Sequence, residues 1–409
     1  MSISQLYPAE GPTLNLNFAG SRTLDPRITF TRTQTTSNGS TYMGRDGLVK
    51  YAGPNEPRFD HRYVNGEIES LGLLVEEQRT NLFPTSEVFV SGWGGPGTPN
   101  TDTILNPYGV LGTVYYITGN ERYRTFNATG YSTLAFSFFT KKRFGGLERD
   151  YTYIEIFQVA IGGGSLGTYY FRFNADNLDT TYFKDVKREE YPNGWYRFSC
   201  RLIARPDYNG GVFSTSTRVD IEGSVSDNYV WGLQVEAGAF PTSYIPTEGS
   251  TVTRNPDNAS ITGSNFTEWY NQSEGTVYVR YAVPSFPFTN RTVFGISSSF
   301  SNRINARLDN QNIITPYIVT NSSVTSAYNL AIRSGAINST AYTFSENSSQ
   351  SSTNGALAVS GTQQSVSLPI CDTFSIGSIR NAEIFCSTIS QLTYYPTRLT
   401  NTQLQTLTK

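Results

Sequence analysis

Histidine is nearly missing: His61 is the only one in 409 residues. A Ser-His-Asp or Cys-His system would rest on that residue alone, and no Gly-x-Ser-x-Gly elbow supports one. We read His61 as a turn residue with a local hydrogen bond. The same count excludes metal sites built from histidine and cysteine. Three cysteines, Cys200, Cys371 and Cys386, cannot all pair within one chain. We expect free, buried thiols, although Cys371 and Cys386 could lie on neighbouring strands. Charge is also sparse, at 16% of residues with a net charge of −2, so no basic field gathers nucleic acid. No 18-residue apolar run occurs, and the MSISQ start lacks the regions of a signal peptide. The expectation is synthesis in a cytoplasm without membrane insertion. No Asp-x-Asp-x-Asp-Gly loop is present, and no metal or cofactor is expected, though scattered loop carboxylates could hold a calcium ion.

What is abundant points one way. Aromatics make up 14% of the chain, with 27 Tyr, 25 Phe and 36 Gly. Tyr, Phe, Thr and Val favour strands, while Gly, Asn and Ser favour the turns between them. This is an all-β composition. The stretch 229–254 organises the rest: Trp231, Leu233 and Val235 alternate with Gly232, Gln234 and Glu236, as in a strand with one buried face. Pro241 and Pro246 bracket Tyr244 and stop the ladder. A closing strand is therefore followed by an extended strap.

Four regions follow. Residues 1–84 are turn-rich, with a short strand at 14–18 and a hairpin at 42–51 turning on Asp46-Gly47. They hold too little apolar surface to fold alone and should pack on the following domain or on a partner subunit. Residues 85–246 carry short strands with Gly, Asn, Asp and Pro between them, the pattern of a two-sheet jelly roll. Residues 247–262 form a connector. Residues 263–409 form a second antiparallel sandwich, with long loops in 319–355 and a terminal helix opened by the Thr400–Gln403 capping box.

Resemblances sharpen this outline. The segments 24–32 (LDPRITFTR), 47–50 (GLVK), 55–61 (NEPRFDH) and 72–82 (GLLVEEQRTNL) resemble, in order, a block of bacteriophage virion proteins of head-spike and tail-fibre type. Residues 194–197 (GWYR) and 231–236 (WGLQVE), with the Tyr244-Ile-Pro tail, resemble carbohydrate-binding-module jelly rolls. The order from Gly275 through 376–379 (IGSI) to 399–404 (LTNTQL) resembles concanavalin-like, laminin-G-like sandwiches. These resemblances imply a virion structural protein, not an enzyme, with residues 1–84 as attachment and oligomerisation segment. Its expected partners are other virion proteins, copies of itself in a homotrimer, and a host surface polysaccharide. An architectural protein without glycan binding and a glycan depolymerase remain as alternatives.

Candidate site residues follow from sugar chemistry, in which an aromatic face covers a pyranose and polar side chains satisfy its hydroxyls. Trp93, in a glycine-rich loop, is the first exposed-aromatic candidate, and a domain-interface plug is its alternative. Trp269 and Tyr270 are the second. Trp195, Trp231 and Tyr244 are read as structural. So is Glu236, which either bonds the strap or pairs with an arginine such as Arg254. Glu76 and Glu77 should point to opposite faces of a strand, and the charged run 184–190 reads as a solvated hairpin. No pair of free acids fit for glycoside hydrolysis stands out. The glycine-rich 161–167 is read as a flexible loop, since no helix follows it.

Overall fold

The computed structural model describes residues 8–409 except 34–38, 91, 97–98, 117–120, 143–151, 160–164, 173–182, 207–208, 215–216, 224–227, 284–289, 312, 359–360 and 364–366. Most of the glycine-rich 161–167 loop lies outside the described residues. The chain is all-β with antiparallel sheets, as its composition implies. Among the described residues, seven strands form before residue 84: β1 (Leu14–Asn17), β2 (Thr29–Thr31), β3 (Thr41–Met43), β4 (Val49–Tyr51), β5 (Arg58–Val64), β6 (Glu67–Val75) and β7 (Arg79–Asn81). The β3–β4 hairpin turns through Gly47 at φ 75°, a conformation glycine adopts without a Cβ penalty.

One 16-stranded sheet runs through both sandwiches. Asn228–Ala237, Thr133–Lys142, Trp195–Ile203 and Phe183–Tyr191 lie on one side of the β5–β6 hairpin, and Ser387–Tyr395, Glu274–Ala282 and Ile337–Ser345 on the other. The hairpin meets the first side at a single pair, Glu190 opposite Tyr63. It meets the second through Leu73, Leu74 and Val75. Among the described residues, a four-stranded sheet, a nine-stranded sheet and the two-stranded β3–β4 sheet complete the architecture. The N-terminal strands are thus built into both halves: β1 pairs with Ser387–Tyr395, β2 with Asn258–Thr262, and β7 with Asn228–Ala237 and Val252–Arg254.

The cores follow this division. Leu14, Leu16, Phe18, Leu73 and Val75 are buried with Val277, Phe294, Ile376 and Leu392 in the C-terminal core. Each such side chain contributes roughly 1.5–3 kcal/mol by burial, which the segment cannot obtain alone. A second core collects Phe83, Phe136, Phe138, Leu202, Leu233 and Val235. The eight-residue helix Asn401–Thr408 closes the chain behind the expected capping box. Cys200, Cys371 and Cys386 are free and buried.

Three local expectations fail. Residues 319–355, expected as long loops, are mostly strand: Ser323–Tyr328, Ile337–Ser345 and Ser348–Thr353. Trp231, Leu233 and Val235 do not share a face, because Gly232 between them takes φ 63° and the register with Thr133–Lys142 slips between Ser137 and Phe139. This bulge sends Trp231 into an aromatic cluster with Phe139, Trp195 and Tyr244, and Leu233 and Val235 into the opposite core. A Cβ on Gly232 would stand 2.8 Å from the Phe139 ring, so the bulge also needs glycine for space. His61 is not in a turn. It lies in β5 beside a register shift at Asp60, with Nδ1 3.0 Å from the Met43 carbonyl.

At the joint sits a closed set of buried charges. Asp257 accepts from Arg32 Nη1 at 2.8 Å and from Arg58, and also from the Glu76 backbone N–H at 2.9 Å. Glu76 Oε2 lies 2.7 Å from Arg58 Nη1 and 3.0 Å from Arg254 Nη1, while its Oε1 accepts the Ser243 backbone N–H. All five charged residues are buried. Burial alone would raise the Glu76 carboxyl, but Arg254 and Arg58 outweigh it and hold it down at about 2.

Breaking such a set by removing one partner leaves uncompensated charge, at a cost of roughly 3–5 kcal/mol. Asp257→Ala is therefore expected to lower the denaturant-unfolding free energy by that amount. Arg62→Ala, which removes an exposed pair with Glu69, should change it by less than about 1 kcal/mol. The Glu76 contribution is present above pH 4.5, its unperturbed value, and is lost as pH falls towards 2.

Candidate functional site

A groove of about 590 Å³ opens where β5 and the strap meet the Phe183–Tyr191 strand. Its walls carry Asp60, Tyr63, Lys187, Glu189, Tyr191 and Arg197. Asp60 is placed by the β5 bulge and accepts the Met43 backbone N–H at 2.8 Å. Burial pushes its carboxyl up to about 7, against the opposing backbone N–H bonds. Glu189 comes from the charged run read as a solvated hairpin, and much of that strand is indeed exposed. Burial would raise Glu189, but the Lys187 ammonium, 2.7 Å away, and the Arg197 guanidinium hold it below the usual carboxylate range. Arg197 is buried and donates to Ser137 Oγ at 2.9 Å and the Thr242 carbonyl at 2.7 Å, which fixes it to the strap. Tyr191 is raised by burial, with Glu189 adding to the effect.

The groove joins elements far apart in sequence. Chemically it offers a carboxyl pushed up to about 7, an ionised carboxylate, the fixed Arg197 guanidinium and four tyrosine side chains. Such a surface can donate to and accept from a polyhydroxylated ligand at several points. Glu76 also lines the groove, but both its oxygens are occupied by Arg58, Arg254 and Ser243.

None of the aromatics proposed from sequence reaches this groove, and the expected exposure of Trp93 is wrong. Only 7% of Trp93 is exposed; it packs edge-on against Phe83 and Phe89 and donates from Nε1 to the Val88 carbonyl at 3.0 Å. The loop glycines let the chain fold back so that the ring fills the core around Phe83. Trp269 is 3% exposed, edge-on to Phe374 and Tyr394, and Tyr270 stacks on Phe266 at 4.6 Å. Both rings pack into the C-terminal core, Trp269 buried and Tyr270 partly so. Trp195 and Trp231 are buried, with the Trp195 Nε1 donating to the Leu105 carbonyl. The Tyr244 hydroxyl bonds Ser86 Oγ at 2.8 Å and Glu87 at 3.0 Å. Glu236 accepts from the Thr242 backbone N–H and hydroxyl, and Arg254 donates to that same hydroxyl, so Glu236 meets the arginine only through the strap. Sequence reasoning missed Asp60, Glu189 and Arg197. The one available signal was a run of charge, 184–190, ending in aromatic residues.

No protein-family model matches the chain, and no curated protein matches it. Among solved structures, the CBM40 module of Ruminococcus gnavus IT-sialidase bound to α2,3-sialyllactose is 14% identical, covering 34% of this chain and 83% of that one, with TM-score 0.30. Domain 4 of AbnA, a GH43 arabinanase from Geobacillus stearothermophilus in complex with arabinotriose, is 17% identical over 38% and 73%, with TM-score 0.31. Trypanosoma rangeli sialidase in complex with DANA is 11% identical over 93% and 81%, with TM-score 0.30. Likeness at this level carries no argument about ligand or activity.

Two half-buried carboxyls define a pH dependence. Asp60 and Glu87 are each pushed up to about 7, chiefly by burial, from unperturbed values of 3.8 and 4.5. A raised carboxyl binds its proton more tightly in the folded chain, so its stabilisation is full below pH 4 and fades as pH rises through 7. The unfolding free energy should be higher at pH 5.5 than at pH 8. Asp60→Asn, which cannot ionise, should reduce that difference.

Proposed function

We propose that the chain is a non-catalytic structural component of a bacteriophage virion, a spike, fibre or decoration, that recognises a host-surface glycan in the groove between its sandwiches. The four N-terminal segments resembling virion proteins support the setting. The glycan reading is carried by the groove itself: a trough of about 590 Å³ whose lining mixes apolar surface with donors, acceptors and phenols. The non-catalytic reading is supported by Glu76, whose oxygens are already taken by fixed donors and so cannot serve as a nucleophile beside Asp60. In this setting a homotrimer is the expected assembly and other virion proteins the expected partners.

The test is binding of the purified chain to polysaccharide extracted from host surfaces, beside Tyr63→Ala and Glu189→Gln variants shown to fold. Each variant should weaken binding by about tenfold or more, the equivalent of about 1.4 kcal/mol. A chain that enters particles but binds no glycan would leave only the architectural role. Release of reducing sugar would show a depolymerase instead.

A further inference from the structure

A second cavity, of about 500 Å³, lies on the far side of the wall made by Tyr42 and His61. It is bounded by the chain just after β1 and by the β3–β4 hairpin. Three cationic side chains line it, Arg22, Arg45 and Lys50, against one carboxylate, Asp46. That carboxylate is already committed to Lys50 Nζ at 2.6 Å. Arg22 and Arg45 are exposed, and neither makes a hydrogen bond or ion pair with any other described residue. Two guanidiniums therefore face a concave space with their donors unspent. Aromatic rings make up much of the remaining lining, beside Ala19, Ser21 and Gly44. Phe59 and Tyr42 are partly buried, and Tyr51, 41% exposed, leans on Tyr108 at 4.8 Å, which holds its ring in place. His61 is anchored by the Met43 carbonyl, and the positive charge of Arg45 helps keep it neutral after the larger effect of burial.

We propose that this cavity binds an acidic saccharide, a pyranose ring carrying a carboxylate, with Arg22 and Arg45 on the carboxylate and Tyr42, Phe59 and Tyr51 around the ring. A guanidinium presents paired N–H donors in the spacing of a carboxylate. Aromatic walls cover the apolar face of a sugar and leave its hydroxyls outward. An inorganic phosphate would satisfy the arginines but leave the aromatic walls and most of the volume unused. This site is distinct from the inter-sandwich groove, so it stands whether or not the groove takes a glycan.

The experiment is calorimetric titration of the full chain with methyl β-D-glucuronoside, its neutral twin methyl β-D-glucoside, and inorganic phosphate. Arg22→Ala, Arg45→Ala and the double variant are measured alongside. Both arginines are exposed, so folding should be unaffected, and the melting temperature checks it. The glucuronoside should bind saturably, at least tenfold tighter than the glucoside or phosphate. Each single variant should weaken it several-fold, and the double variant should abolish it. Arg45→Lys, which keeps the charge but loses the fork, should fall between. The proposal is overturned if the glucuronoside does not bind, if the neutral twin or phosphate binds as well, or if the double variant binds unchanged.

Discussion

Charge that is buried must be paired, and that requirement shapes this molecule at its centre. Arg32, Arg58 and Arg254 converge on Glu76 and Asp257 with essentially no access to water. Taking these groups out of water costs several kcal/mol each, offset only if every charge finds partners in good geometry. Three of the five come from before residue 84 and two from after the first sandwich. The set closes only when the chain has built that sandwich and returned, so it selects one relative placement of the strap, β5 and the end of β6.

That placement has consequences outward from the joint. Because β5 is held by Arg58 from inside, its bulge at Asp60 aims that carboxyl into the groove. Because the strap is held through Thr242 and Ser243, the Thr242 carbonyl is available to fix Arg197 on the opposite wall. The other face of the same β3–β5 wall carries the basic, aromatic cavity. One buried network thus positions two concave surfaces of different chemistry, a mixed-charge groove and a cationic pocket. The groove is lined from residues 41 to 388 and belongs to no single stretch of the sequence, whereas the cationic pocket is lined by residues 19–61 alone. The connector 247–262 is likewise paired on both sides, through Val252–Arg254 with β7 and through Asn258–Thr262 with β2.

How much of this could be read from the residues depends on the range of the interaction. The all-β class, the Asp46-Gly47 hairpin and the Thr400–Gln403 capping box were legible, because each is decided within a few residues. The burial of Trp195 and Trp231 was legible from strand position. The reversal of faces at Gly232 was not, since a glycine in a strand pattern does not announce a left-handed φ. Trp93 misled for a related reason: loop glycines suggested exposure but in fact let the ring fold inward. The groove and the ion network were illegible because their members are brought together by topology. Arg58 and Asp257 stand 199 positions apart, and no local pattern links them. Even so, Leu73-Leu74-Val75-Glu76 placed an acid directly after an apolar run, which is where a buried partner is needed.

The central claim is that the N-terminal strands and the buried charges weld two sandwiches into one cooperative body. Differential scanning calorimetry of the unmodified full chain tests it most directly. The account predicts a single unfolding endotherm, because neither half keeps its core once β1, β5, β6 and β7 leave. Two well-separated endotherms, each with the enthalpy expected of one sandwich, would contradict it.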